Sequence, residues 1–82
     1  MHIVIIVEDR VVTIDGHAIQ WELDLPSNIW ALNWKDNKGE VEYDDGTNNK
    51  IIDNLSEFQH IVDEHALRKS RGEGTHVSEM VH

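Results

Sequence analysis

Six histidines, sixteen carboxylates and no cysteine set the side-chain chemistry open to this 82-residue chain. Imidazole binds divalent transition metals and moves protons near neutral pH, so a histidine-rich sequence invites a metal centre. Such a centre needs its ligands at a strand or helix repeat, as in H-x-H or H-E-x-x-H. His2, His17, His60, His65, His76 and His82 follow neither pattern. His60 and Glu64 stand four apart on an expected helix, but no third ligand accompanies them, and they read as solvated surface groups. His65 lies beside an apolar stripe and reads as a boundary packing residue. Glu40, Glu42, Asp44 and Asp45 crowd one arm, with Glu22 and Asp24 on another. Acid–base catalysis needs two carboxyls held at a set separation in a cleft, and so small a chain leaves little room for one. A solvated acidic face is the expectation. Asp36, Asn37, Asp44 and Asp45 offer oxygens to a loosely held calcium ion, without the EF-hand order. Ser27, Ser56, Ser70 and Ser78 lack a nucleophile elbow, and Gly72-Glu73-Gly74 is too short for a phosphate loop. The sequence thus predicts no enzyme, and no catalytic, metal or cofactor residue.

Charge narrows the partners. Seven basic residues against sixteen acidic ones leave a net charge of −9. Phosphate neutralisation needs a basic stripe, whereas here only Arg68, Lys69 and Arg71 cluster, so direct nucleic-acid binding is not expected. Anionic membrane surfaces repel such a chain in the same way. Ile3–Val7 is apolar but only five residues long, and Glu8-Asp9 follow at once. That is too short for a signal peptide or a membrane helix, and the expected setting is the cytosol in which the chain is made.

The elements that position these groups are mostly strands. His2–Val7 is apolar but for its first residue, as in a strand covered on both faces. Val11–Ile14 follows. Asp15-Gly16 is a two-residue hairpin signal, and His17–Leu23 then alternates, with Ile19, Trp21 and Leu23 on one side. Leu25-Pro26-Ser27-Asn28 reads as a connection, since Pro has no N–H for a ladder. Ile29–Trp34 sets Trp30, Leu32 and Trp34 on one face, and Glu40–Tyr43 returns after a polar loop in which Gly39 is available for a left-handed position. Asn54, with Glu57 three residues on, has capping-box spacing for a helix whose stripe is Leu55, Phe58, Ile61, Val62 and Ala66. The predicted fold is α+β: an antiparallel β-meander of four to five strands covered by one C-terminal α-helix. One domain is expected over residues 1–69, with a flexible tail over residues 70–82.

Residues 12–16 (Val-Thr-Ile-Asp-Gly), Leu23-Asp24-Leu25-Pro26-Ser27-Asn28-Ile29-Trp30-Ala31-Leu32-Asn33-Trp34, Gly39-Glu40-Val41-Glu42-Tyr43, Asp45-Gly46 and Leu55-Ser56-Glu57-Phe58-Gln59 carry a pattern. It resembles small proteins of tailed bacteriophages and prophages, usually encoded among tail and tail-fibre genes. The match runs over roughly residues 11–60 and rests on structural residues. It implies a non-enzymatic virion or tail-assembly protein that works through protein–protein contacts with phage structural proteins or copies of itself. On that reading the chain is made in the host cytoplasm and ends in the virion. An alternative from the charge is an acidic mimic of nucleic acid that inhibits a host enzyme or defence complex. One helix covers one sheet face only, so Ile3, Val4, Ile5, Ile6 and Val7 are expected at a contact with another copy or a partner. Trp30 and Trp34 are the expected aromatic anchors.

Overall fold

The computed structural model describes residues 1–76 and contains seven strands and one helix. In chain order these are β1 (Ile3–Ile6), β2 (Val11–Ile14), β3 (His17–Gln20), β4 (Ile29–Lys35), β5 (Lys38–Tyr43), β6 (Lys50–Ile52), α1 (Gln59–Ser70) and β7 (Thr75–His76). The sheet is antiparallel throughout, in the order β6-β5-β4-β1-β2-β3-β7. The α+β class with one C-terminal helix is as expected, but there are seven strands in place of four or five. Nor is the sheet a simple meander. After β3 the chain passes through Leu25-Pro26, which adds no rung, and returns beside β1, so β4-β1-β2-β3 is a Greek key. The Ile-Val-Ile-Ile run of β1 explains that placement: a strand apolar on both faces belongs in the middle of a sheet.

The turns set the register. Asp15 and Gly16 take left-handed backbone, φ 47° and 87°, and close β2 onto β3. At the β4–β5 tip the left-handed pair is Asp36 and Asn37, φ 55° and 62°, so Gly39 is a strand residue opposite Trp34 and not the turn glycine. A β-bulge between Ile29 and Ala31 puts Trp30 out of step, and the face expected to hold Trp30, Leu32 and Trp34 divides. Leu32 and Trp34 enter the core, while Trp30 is 38% exposed. β6 follows the turn-rich stretch Asp44–Asn49 and was too short to show a period.

The helix begins later than its capping box suggests. Asn54 Oδ1 accepts the Ser56 backbone N–H at 3.1 Å and its hydroxyl at 2.7 Å, which closes an Asx turn. The Glu57 carboxylate turns away to Lys50 Nζ at 3.3 Å. A tight turn then bonds Phe58 N–H to the Leu55 carbonyl, and α1 starts at Gln59 without a side-chain cap. Phe58 and Ile61 lock it onto Ile3, Ile5, Val12, Ile14, Ile29, Leu32, Trp34 and Val41. Leu55 and Val62 are half-buried as the stripe requires, but Ala66 is exposed and His65 is the third buried position. The boundary drawn at residues 69/70 falls inside α1, whose last residue is Ser70, and Thr75–His76 pairs with His17–Ala18. The rest of the expected tail, residues 77–82 with His82, lies outside the described residues.

Candidate functional site

Strand alternation sorts the residues of the sheet into two faces. Ile3, Ile5, Val12, Ile14, Leu32, Trp34 and Val41 face α1. Val4, Ile6, Val11, Thr13 and Ala18 lie on the other face, all half-buried and held in one block by the pairs Val4–Thr13, Ile6–Val11, Thr13–Ala18 and Ile6–Ala31. No helix of the described residues covers that block, since α1 packs on the opposite side. Beyond it, β4 and β5 add Asn33, Lys35, Lys38, Glu40 and Glu42, and β6 adds Ile51, 61% exposed; together they line a depression of about 340 Å³. The charge here departs from the rest of the chain. Lys35 and Lys38 balance Glu40 and Glu42 around this depression, so the β4–β5 part of the face is neutral on a chain of net charge −9.

The expected contact residues therefore divide. Ile3 and Ile5 are fully buried and Trp34 is buried with them, so these three serve the core and are out of a partner's reach. Val7 packs against the core as well. Val4 and Ile6 remain on the open face, and Trp30 stands exposed at the bulge beside Ala31. An edge contact through β1 is excluded, because β2 and β4 occupy both of its edges.

A second cluster escaped the sequence reading. His65 is 3% exposed, and its Nε2–H donates to the His17 carbonyl at 2.8 Å. The His17 ring meets it edge-on with centroids 5.8 Å apart, and its own Nε2–H donates to the Glu73 carbonyl at 2.8 Å. Trp21 tilts against His65, and the Arg68 guanidinium lies 5.3 Å from the Trp21 ring centroid. Arg68 also bonds Glu64 at 2.7 Å and Glu73 at 3.2 Å, which raises its already high pKa. The cluster pins α1 and the Glu73–His76 segment to β3. The signal was there: Phe58, Ile61 and His65 fall at i, i+3 and i+7.

This clasp makes stability pH-dependent. Burial lowers the His65 pKa from its ordinary value near 6.5, with the facing charges of His17 and Lys69 acting the same way and the bond to His17 opposing. The unfolded chain therefore binds more protons between about pH 6.5 and the lower folded value, so acid favours unfolding in that window. Urea melts are expected to show full stability above about pH 6.5, falling as pH drops below it. His65→Gln, which keeps a donor, is expected to flatten that slope. An unchanged slope would remove His65 as its source.

Beside the clasp, Trp21, Glu22, Asp24, His60, Ile61, Glu64 and Arg68 line a cleft of about 380 Å³. His60 and Glu64 both reach it, yet His60 Nε2–H donates to the Asp24 carbonyl at 2.7 Å and Glu64 is engaged by Arg68. Among the described residues no three His, Asp or Glu gather as a metal site, and no buried side-chain nitrogen or oxygen lacks a partner. The acidic arm is not one continuous row. Glu40 and Glu42 share a depression with Lys35 and Lys38, while Asp45 turns back to Thr47, whose bonds chiefly lower its pKa, and to the Asn28 amide, which adds to that shift. Among the described residues no helix is long and apolar enough to cross a membrane. Set against protein-family models, curated proteins and solved structures, the chain matches none.

Proposed function

We infer that this chain is a non-enzymatic structural or assembly protein of a tailed phage, sited in the virion near the tail or helping tail and tail-fibre assembly. It acts by protein–protein contact through the helix-free face of its sheet. The observation that supports the contact is the one-sided cover: Val4, Ile6, Val11, Thr13 and Ala18 form a largely apolar block with no helix over it among the described residues, beside a β4–β5 depression whose charges balance. The phage setting draws on the resemblance over residues 11–60. Mass spectrometry of purified virions tests it. Stoichiometric peptides of this chain mark a virion component, and peptides found only in assembly intermediates mark a helper. A gene remote from any phage locus removes both.

The contact itself is tested by Val4→Thr with Ile6→Thr. Threonine keeps strand propensity and strips apolar surface from the open face alone. The double variant is expected to lose association while its monomer melts within about 1 kcal/mol of the wild type. Light scattering and thermal melts read the two effects separately. A variant that loses stability as a core mutant does, from a wild type that never associates, would defeat the contact reading.

A further inference from the structure

We propose that the helix-free face docks a second copy of this chain, the two sheets packing face to face about a two-fold axis that runs across the strands. The inference rests on the contact reading above and specifies its occupant. Chains of charge −9 repel one another, so self-association needs a face from which that charge has been removed. The β4–β5 part of this face is neutral, and its charges are segregated. Lys35 and Lys38 pair at the β4–β5 tip, whereas Glu40 and Glu42 lie further along the β5 arm, with Glu42 opposite Ala31. A two-fold across the strands reverses their direction, setting the lysine tip of one copy over the glutamate arm of the other, twice per dimer. That is the self-complementarity a closed isologous contact requires. The two-fold that sets Lys35 and Lys38 over Glu42 passes through the Val4–Asn33–Glu40 level, so it brings Val4 and Thr13 onto their own symmetry mates. A partner of one sign gains little here, because it meets as many like charges as opposite ones.

Charge exchange decides the point. Lys35→Glu with Lys38→Glu makes the row wholly acidic, and Glu40→Lys with Glu42→Lys makes it wholly basic. All four positions are exposed in the monomer, so each variant is expected to fold, as circular dichroism and melts will verify. Light scattering from micromolar to millimolar concentration is expected to show a wild-type dimer. Each variant alone should associate about 100-fold more weakly, and an equimolar mixture should recover a heterodimer near wild-type affinity. A wild type monomeric at millimolar concentration overturns the second copy, and a wild-type dimer indifferent to both exchanges overturns the charge-paired two-fold. The Val4 and Ile6 variant tells these failures from a failure of the contact reading: a dimer lost in it but kept in both charge variants leaves the face a contact and overturns the charge-paired two-fold, whereas a dimer kept in all three variants overturns the contact reading as well.

Discussion

Phe58→Ala is expected to cost about 3–5 kcal/mol and to leave much of the population unfolded at room temperature. Phe58 is 1% exposed and is the largest of the fully buried side chains. It sits at the junction of the Leu55–Phe58 turn and α1, so the ring that fills the core also anchors the start of a helix with no side-chain cap. Truncation removes the ring's transfer free energy and leaves a cavity that the surrounding strands, held by ladders, close only in part. A chain of 82 residues has a total stability of roughly 4–12 kcal/mol, so this one side chain decides whether it folds. Gln59→Ala, one position on and exposed, is the control and is expected within about 0.5 kcal/mol of the wild type. Urea melts followed by far-ultraviolet dichroism measure both. A Phe58 variant that melts like its control would mean that the helix is not docked through this ring.

Gly39→Val runs against propensity. Valine favours strands over glycine by up to about 1 kcal/mol, and position 39 is in the middle of a paired rung. The expected outcome is nevertheless a loss of about 2–3 kcal/mol. A Cβ on residue 39 comes within 2.8 Å of Trp34 Cε3, 3.2 Å of the Asn33 carbonyl oxygen and 3.3 Å of Ile52 Cγ1. Trp34 is buried against the cross-strand Ile3, so its indole has nowhere to retreat. The indole lying over glycine covers the gap that a missing side chain leaves in the sheet. Trp34→Val clears the space, and a double-mutant cycle is expected to return about 1–2 kcal/mol of coupling between positions 39 and 34. Additive losses would show that the clash is not with the indole.

What the sequence revealed of this fold depends on how local each cause was. Asp15-Gly16, the alternation after His17 and the Phe58–Ile61 spacing act within a few residues and were legible as they stood. The Trp30 bulge was not, because it arises from fitting β4 between β1 and β5, and period-two counting assumes an uninterrupted ladder. Gly39 was misread for a similar reason: Asp36 and Asn37 accept left-handed backbone themselves, which frees the glycine for a packing role set by Trp34 across the rung. The capping box at Asn54 and Glu57 had the right spacing, yet Lys50 on β6 draws the Glu57 carboxylate away. In the proposed contact surface, the apolar run of β1 marked a strand with apolar side chains on both faces. Dividing it into Val4 and Ile6 against Ile3 and Ile5 required knowing which face α1 covers. The neutrality of the β4–β5 part of the open face was invisible in composition, because the net charge sums over surfaces that fold to opposite sides.

The placement of β1 also governs how the chain reaches its folded state. β1–β2–β3 and β4–β5–β6 are each built from neighbours in sequence, with rungs no further apart than Ile29 and Tyr43. The two halves meet only along β1 and β4, in the rungs from Ile3–Trp34 to Ile6–Ala31. Each half can zip on the microsecond scale of a hairpin, but joining them closes a loop several times longer, before the buried rows of Ile3, Ile5, Leu32 and Trp34 reward it. The rate-limiting event in refolding is therefore expected at this seam. Substitutions at Ile5 or Leu32 should slow folding, whereas changes at β7, whose pairing with β3 spans the longest separation of all, should chiefly speed unfolding. On the ribosome, β1 emerges first with one flank open until residue 34 appears. During synthesis the most apolar strand of the protein waits for its second neighbour until β2 and β3 have both been made.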